Sequence, residues 1–452
     1  IVLVGFGVYD SIDPALTGFA DPLIFLFIAG FMLANALQKY DIDRRIALWI
    51  MAQLGVTPRL LILAVMVATA FLSMWVSNTA TTAMMLPIAL GILNEAVDEE
   101  ALVAADETGS RSNMQVATLL GVAYAASVGG VGTLIGTPPN AVVVGFLDRF
   151  LDYQITFLEW LVIGMPVVIV SLPLIWYLLT FHLYPPQIED VSSARRRATE
   201  ILAEEGALGT KGRRVAIIFA ATATLWMLGG FGFVFDDILP HSVYVTLFGG
   251  QGRTILGTTG HQGVLYFVVV GLASIPALVL SGTMEWEDLV DIDWGTILLF
   301  GGGLSLADAL AHTGGTTWLA STIFHAFASA PSVIVTLVVV VFVISLTEMT
   351  SNTATTTIVA PVLIAIGELL AESTGFGQIS SSVFFSIVGG VAASFAFALP
   401  VATPPNAIVF GSGFVEQRDM MRAGIVLNVI MSLLLTVIVL VLARTVWPVV
   451  LW

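Results

Sequence analysis

Ser77-Asn78-Thr79-Ala80-Thr81-Thr82 recurs unchanged as Ser351-Asn352-Thr353-Ala354-Thr355-Thr356, and each copy is followed by a second shared stretch, Thr137-Pro138-Pro139-Asn140-Ala141 and Thr403-Pro404-Pro405-Asn406-Ala407. Leu33-Ala34-Asn35-Ala36-Leu37 likewise pairs with Leu306-Ala307-Asp308-Ala309-Leu310. The offset is 273 there (33 to 306) and 274 at the hexapeptides (77 to 351), so register holds through a duplication. Hydroxyl and amide clusters that interrupt very apolar stretches, twice over and in the same order, are the pattern of an internally repeated membrane protein with a site between its repeats.

Composition agrees. Hydrophobic residues make up 57% of the 452-residue chain and charged ones 11%, with a mean hydropathy of +0.97, which excludes a soluble globular domain. Apolar runs of about 20 residues, enough to cross a hydrocarbon core of about 30 Å, lie near 22 to 38, 115 to 136, 158 to 182, 214 to 235, 262 to 280, 294 to 311, 380 to 399 and 423 to 447. Abundant small and aliphatic residues, with no ladder of short alternating strands, point to close-packed helices rather than a barrel. The predicted fold is an all-α integral membrane protein, multi-pass in the cell membrane. There is no cysteine, and His182, His241, His261, His312 and His325 show no metal-ligand spacing, so neither a disulfide framework nor a thiolate metal site is expected. The net charge of −16 fits an acidic surface solvated in strong brine or simply acidic loops, and no nucleic-acid partner is expected.

The chain crosses the membrane five times between run 22 to 38 and its counterpart 294 to 311, and an odd count inverts the second repeat. Segments 58 to 95 and 332 to 370, which carry the hexapeptides, read as re-entrant hairpins or as crossing pairs; zero or two crossings leave the parity unchanged. Threading sidedness through this scheme puts thirteen basic residues, among them Lys39, Arg59, Arg195, Lys211 and Arg418, on one side and leaves Arg149, Arg253 and Arg444 on the other. The positive-inside rule makes the first set cytoplasmic. The predicted organisation is scaffold helices over 1–57, a transport region over 58–184, a cytoplasmic linker over 185–212, scaffold helices over 213–330 and a second transport region over 331–452. Repeat two begins near Arg213, so its counterpart start falls before Ile1, and roughly two helices are expected to precede this sequence.

Ser, Asn and Thr are strong helix N-caps, and here they stand where a second hairpin arm begins. The free N–H groups and positive dipole end of such an arm attract an anion without placing a full positive charge in lipid. Two opposed tips could therefore grip the two carboxylates of one small molecule. The Pro-Pro pairs break helices 115 to 150 and 380 to 411 and free upstream carbonyls, which with nearby hydroxyl and amide oxygens can coordinate a monovalent cation such as Na⁺.

With these motifs on both halves, the chain resembles the divalent anion/sodium symporters, a family that includes Na⁺-coupled dicarboxylate and citrate transporters. The resemblance implies a homodimer in lipid, in which two inverted-topology repeats build a transport domain that moves like an elevator against a scaffold. It also implies a first Na⁺ site from Ser73, Ser77, Asn78 and the Gly136 carbonyl, and a second from Thr347, Asn352 and the Ala402 carbonyl. Substrate carboxylates would meet Ser77, Asn78, Thr79, Ser351, Asn352 and Thr353, with Thr137 and Thr403 close by. The function expected is import of a small dicarboxylate of the succinate, malate and fumarate class with Na⁺, because a dianion entering a negative cell works against about 2.3 kcal/mol per charge per 100 mV. Na⁺-independent exchange, and citrate or sulfate as substrate, are the alternatives within this class. An anion channel would need a continuous polar lining, and an enzyme a nucleophile with a base; neither is visible. Glu348 in its apolar arm reads as a cation or proton site, or as a carboxylate bonded to hydroxyls such as Thr350. Asp308 reads as a helix-packing polar group.

The absence of cysteine makes the inverted arrangement testable. In intact cells a membrane-impermeant maleimide should label Ser373→Cys readily and reach Ser112→Cys only after permeabilisation; equal labelling of both from outside refutes the inversion.

Overall fold

Caps legible in the sequence start the helices. Asp21 accepts from Leu23 N at 2.9 Å ahead of Pro22 at the first helical position, Thr57 does the same for Pro58 through Leu60 N, and Thr156 with Glu159 forms a reciprocal capping box. The computed structural model describes residues 2–54, 57–96, 112–187, 191–250, 263–324, 327 and 330–451. Of the hydrophilic loop 98–113, residues 98–111 lie outside the described residues, as do Arg253, His261 and His325.

The helices that matter here are α1 (Pro22–Lys39), α2 (Ile42–Leu54), α3 (Pro58–Ser73), α4 (Asn78–Ala96), α5 (Asn113–Gly130), α6 (Pro138–Leu151) and α7 (Phe157–Tyr177), followed by α8 (Thr210–Gly229), α9 (Phe267–Leu280) and α10 (Trp294–His312). The second half closes with α11 (Ser332–Thr347), α12 (Asn352–Leu369), α13 (Gln378–Ala392), α14 (Pro404–Gly411) and α15 (Gln417–Thr445). Among the described residues five helices are long and apolar enough to cross a membrane: α1, α7 with its continuation to Leu183, α10, α12 and α15. The fold is the all-helical one expected. The hexapeptides sit on hairpins, α3–α4 and α11–α12, and the Thr-Pro-Pro-Asn stretches divide α5 from α6 and α13 from α14.

The centre of the bundle is built from helices that are apolar on every side. α5 is buried at every position from Met114 to Gly130, and α13 at every position from Ser381 to Ala392. The halves interlock: α6 packs on α12 and α13, while α14 packs on α4 and α5. Close approach depends on glycine. A Cβ on Gly129 of α5 would collide with the Ala70 carbonyl and Cα of α3, and one on Gly367 of α12 with the Ser382 backbone of α13.

Outside this core, α1 packs on α9, and α8 on α9. Asp308 does more than pack. Arg149 of α6 donates to it through both Nε, at 2.7 Å, and Nη2, tying α6 to α10, and the same Nη2 reaches Thr17 Oγ1 at 3.1 Å. Its repeat counterpart Asn35 donates instead to the Asp288 and Asp291 carbonyls, at 3.3 and 2.7 Å.

Gly129→Ala and Gly367→Ala should each destabilise the protein by about 1–3 kcal/mol through overpacking against backbone. Gly91→Ala, where nothing lies within 4 Å, is the control. Thermal unfolding in detergent checks this, and lowered midpoints for the first two alone are expected.

Candidate functional site

Each hairpin turns in four residues, 74–77 and 348–351, and restarts with the same cap. Ser77 Oγ accepts from Ala80 N and Ser351 Oγ from Ala354 N, both at 3.2 Å. The hexapeptides therefore place helix N-termini, with their free N–H groups, at the two tips. The Pro-Pro pairs also begin helices. Pro138 and Pro404 occupy first-turn positions of α6 and α14, where a missing N–H costs nothing, behind Thr137 and Thr403 in extended conformation. The breaks themselves are residues 131–137 and 393–403.

The last residue of the repeated Thr-Pro-Pro-Asn stretch holds each break together, a role that proline-centred reasoning missed. Asn140 Nδ2 donates to the carbonyls of Gly130 at 2.8 Å and Thr133 at 2.6 Å, and Asn406 Nδ2 to those of Ala396 at 3.1 Å and Leu399 at 3.0 Å. Both side chains are fully buried, and in both the amide oxygen lacks a partner among the described residues. The signal was present, since an asparagine repeated at one offset in an apolar chain has a polar task.

Of the residues expected to hold cations, Ser73, Asn78 and Gly136 meet in the first half, and Thr347 and Asn352 in the second. The Asn78 amide end facing α5 lies 2.6 Å from Ser73 Oγ, 3.1 Å from the Ala126 carbonyl and 3.3 Å from the Gly136 carbonyl. Every neighbour is an oxygen, so either the amide nitrogen turns in and donates, or its oxygen does and a cation completes the cluster. In the second half Thr347 Oγ1 lies 2.8 Å from Asn352 Oδ1 and 2.9 Å from the Ala393 carbonyl, repeating the relation of Ser73 to Asn78 and Ala126. Ala402 is buried beside Thr403.

A cavity of about 420 Å³ opens where the tips and breaks meet. Its lining includes all eight residues expected to face a substrate: Ser77, Asn78, Thr79, Thr137, Ser351, Asn352, Thr353 and Thr403. The hairpins thus end inside the bundle. Among the lining residues not foreseen are Phe31 of α1 and Asp293, Thr296 and Leu299 at the start of α10. They occur once each, on helices without the polar motifs, and only the fold brings them here.

Glu348 is buried, but its partners are not hydroxyls. Its carboxylate accepts from Phe397 N at 2.7 Å, Ala398 N at 2.8 Å and Leu399 N at 3.0 Å, and from Asn428 Nδ2 at 2.6 Å. Thr350 Oγ1 turns instead to the Leu346 carbonyl and to Thr355. Glu348 therefore closes the second break from outside the helix.

Paired polar hairpin tips meeting paired helix breaks inside an apolar bundle define a secondary transporter. Comparison with known proteins gives the family. The model of the sodium:sulfate symporter transmembrane region matches residues 1–452. An uncharacterized transporter of Haemophilus influenzae is 37% identical over 93% of this chain and 81% of its own length. The sodium-dependent dicarboxylate transporter SdcS of Staphylococcus saprophyticus is 34% identical over 93% of this chain and 76% of its own, and that of Staphylococcus aureus strain USA300 is 32% identical over 97% and 80%. The crystal structure of the Alcanivorax borkumensis YdaH transporter, 16% identical, shares the fold with a TM-score of 0.55 over 96% of this chain and 87% of that one. The chain belongs to the sodium:sulfate symporter family and is a multi-pass membrane transporter.

Asn140→Ala and Asn406→Ala should each leave two buried carbonyls unpaired, a loss of about 1–3 kcal/mol. The expected result is a lower unfolding midpoint in detergent for both. An unchanged midpoint in either shows that the break does not depend on that amide.

Proposed function

We propose that the protein imports small dicarboxylates of the succinate, malate and fumarate class together with Na⁺. The observation that carries this reading is the single cavity lined by both hexapeptide tips and both Thr-Pro-Pro turns. Its two matched sets of hydroxyl, amide and helix N-terminal donors suit an anion with a carboxylate at each end. Among the described residues neither Lys, Arg nor His lines it. The charge of a dianion is then offset by co-transported cations, for which the clusters around Asn78 and Asn352 supply neutral oxygens suited to Na⁺. In this reading the first site is formed by Ser73, Ser77, Asn78 and the Gly136 carbonyl, and the second by Thr347, Asn352 and the Ala402 carbonyl. The sodium-dependent dicarboxylate transporters among its relatives favour the same substrate class.

The proposed mechanism couples the two ligands through shared residues. Asn78 and Asn352 serve a cation on one side and the substrate on the other, so Na⁺ orders the tips that then receive the carboxylates. The halves act as inverted repeats, and the hairpins and broken helices move together past the scaffold in a homodimer. The Arg149 to Asp308 pair joins helices on the two sides of that boundary, so it must part when they slide.

Uptake of labelled succinate, citrate and sulfate into proteoliposomes, with and without a Na⁺ gradient, tests the proposal. Succinate uptake that requires Na⁺ is expected. Asn78→Ala and Asn352→Ala should each abolish it, with little loss of assembled protein. Binding calorimetry across a Na⁺ series should show succinate affinity rising with Na⁺, as linkage requires; a flat series points to exchange instead.

A further inference from the structure

The cavity has two unlike walls. One, made by the hairpin tips and the starts of α6 and α14, carries the hydroxyl and amide groups. The other, made by α1 and α10, carries Phe31, Leu299, Thr296 and a carboxylate, Asp293. A carboxylate facing the site of an anion transporter requires a reason.

Asp293 is held in place by capping. As N-cap of α10 its Oδ1 accepts from Thr296 N at 3.1 Å and its Oδ2 from Thr296 Oγ1 at 2.6 Å. Capping alone explains why an Asp, Asn or Ser stands there, but not why the residue is charged. Asp293 is exposed, and no Lys or Arg pairs with it among the described residues. Asp293 therefore lines the cavity with no cationic side chain paired to it among the described residues.

Size does not choose the substrate. About 420 Å³ holds a four-carbon dicarboxylate or a six-carbon tricarboxylate alike. Charge does choose. Once two carboxylates occupy the two tips, a third has to lie against the remaining wall, where it meets two apolar side chains, Asp293, and Thr296, whose hydroxyl already donates to Asp293. Like charges in a partly desolvated site repel strongly.

We propose that Asp293 is a specificity-determining residue that rejects tricarboxylates: fixed at the N-cap of α10, opposite the hairpin tips, its charge excludes substrates bearing a third ionised carboxylate while leaving dicarboxylates little affected. This rests on the dicarboxylate reading above. Asp293 is not one of the groups that grip the substrate, and its neutral capping analogues should preserve the fold.

The test is competition against labelled succinate in proteoliposomes of the full chain, with citrate and tricarballylate as trianionic competitors at neutral to alkaline pH. Tricarballylate lacks the citrate hydroxyl and so isolates charge. Asp293→Asn, which keeps both volume and cap, should lower the inhibitory concentration of both trianions about tenfold, with the KM for succinate moving far less. Asp293→Ser, a second capping residue, should do the same. Succinate uptake with an unchanged trianion-to-succinate ratio in both variants overturns this inference alone. Absence of carboxylate uptake by the unmodified protein overturns the dicarboxylate reading and this inference with it.

Discussion

Everything in this molecule hangs on the satisfaction of backbone polar groups where two central helices stop inside an apolar bundle. In lipid an unpaired carbonyl or N–H costs several kcal/mol, so a transmembrane helix is broken only where other groups supply the missing bonds. Asn140 and Asn406 supply them, each with one amide reaching two carbonyls of its own break. The prolines then cost little, because they begin α6 and α14 instead of interrupting a ladder. The result is non-helical backbone held rigidly beside the hairpin tips, with carbonyls at fixed positions.

That rigidity is paired with close packing. Gly130 lies against Asn78 and Thr137, and a Cβ on Gly136 would meet the Gly130 and Ser73 carbonyls. Small residues let the break and the hairpin turn share one volume, which is how Ser73, Asn78, Ala126 and Gly136 bring oxygens within hydrogen-bond range of each other. Such a cluster is electrostatically poor unless a donor or a cation enters it. The same relation among Thr347, Asn352 and Ala393 in the second half makes coincidence a weak explanation.

Much of this was legible in the sequence, for a physical reason. In a chain that is 57% hydrophobic, a polar cluster is conspicuous, and one that repeats at a constant offset is more so. The doubled hexapeptide and the doubled Thr-Pro-Pro-Asn stretch thus led to eight of the residues that line the cavity, and the prolines marked where α6 and α14 begin. What repetition did not mark was invisible. Phe31 and Leu299 are two apolar residues among many, and Asp293 reads as an ordinary N-cap. The partners of Glu348 were illegible for another reason: they are backbone N–H groups of Phe397, Ala398 and Leu399, which any residue type could supply.

The departures from repetition carry information of their own. Glu348 stands where the first half has Met74 (74 to 348, the hexapeptide offset), and α5 runs to Gly130 whereas α13 ends at Ala392. In both halves the turn after the helix closes with N–H groups bonded back to it, Val131 to Val128 and Gly132 to Gly129 in the first, Ser394 to Val391 and Phe395 to Ala392 in the second. The second break has an addition: the N–H groups of residues 397 to 399, within the break, donate to the Glu348 side chain, which Asn428 of α15 also holds. A buried carboxyl group adjoins one oxygen cluster and a thioether adjoins the other, although both clusters are built from the same residue pattern. Two clusters of like geometry thereby have unlike neighbours, so the duplication did not leave the halves equivalent.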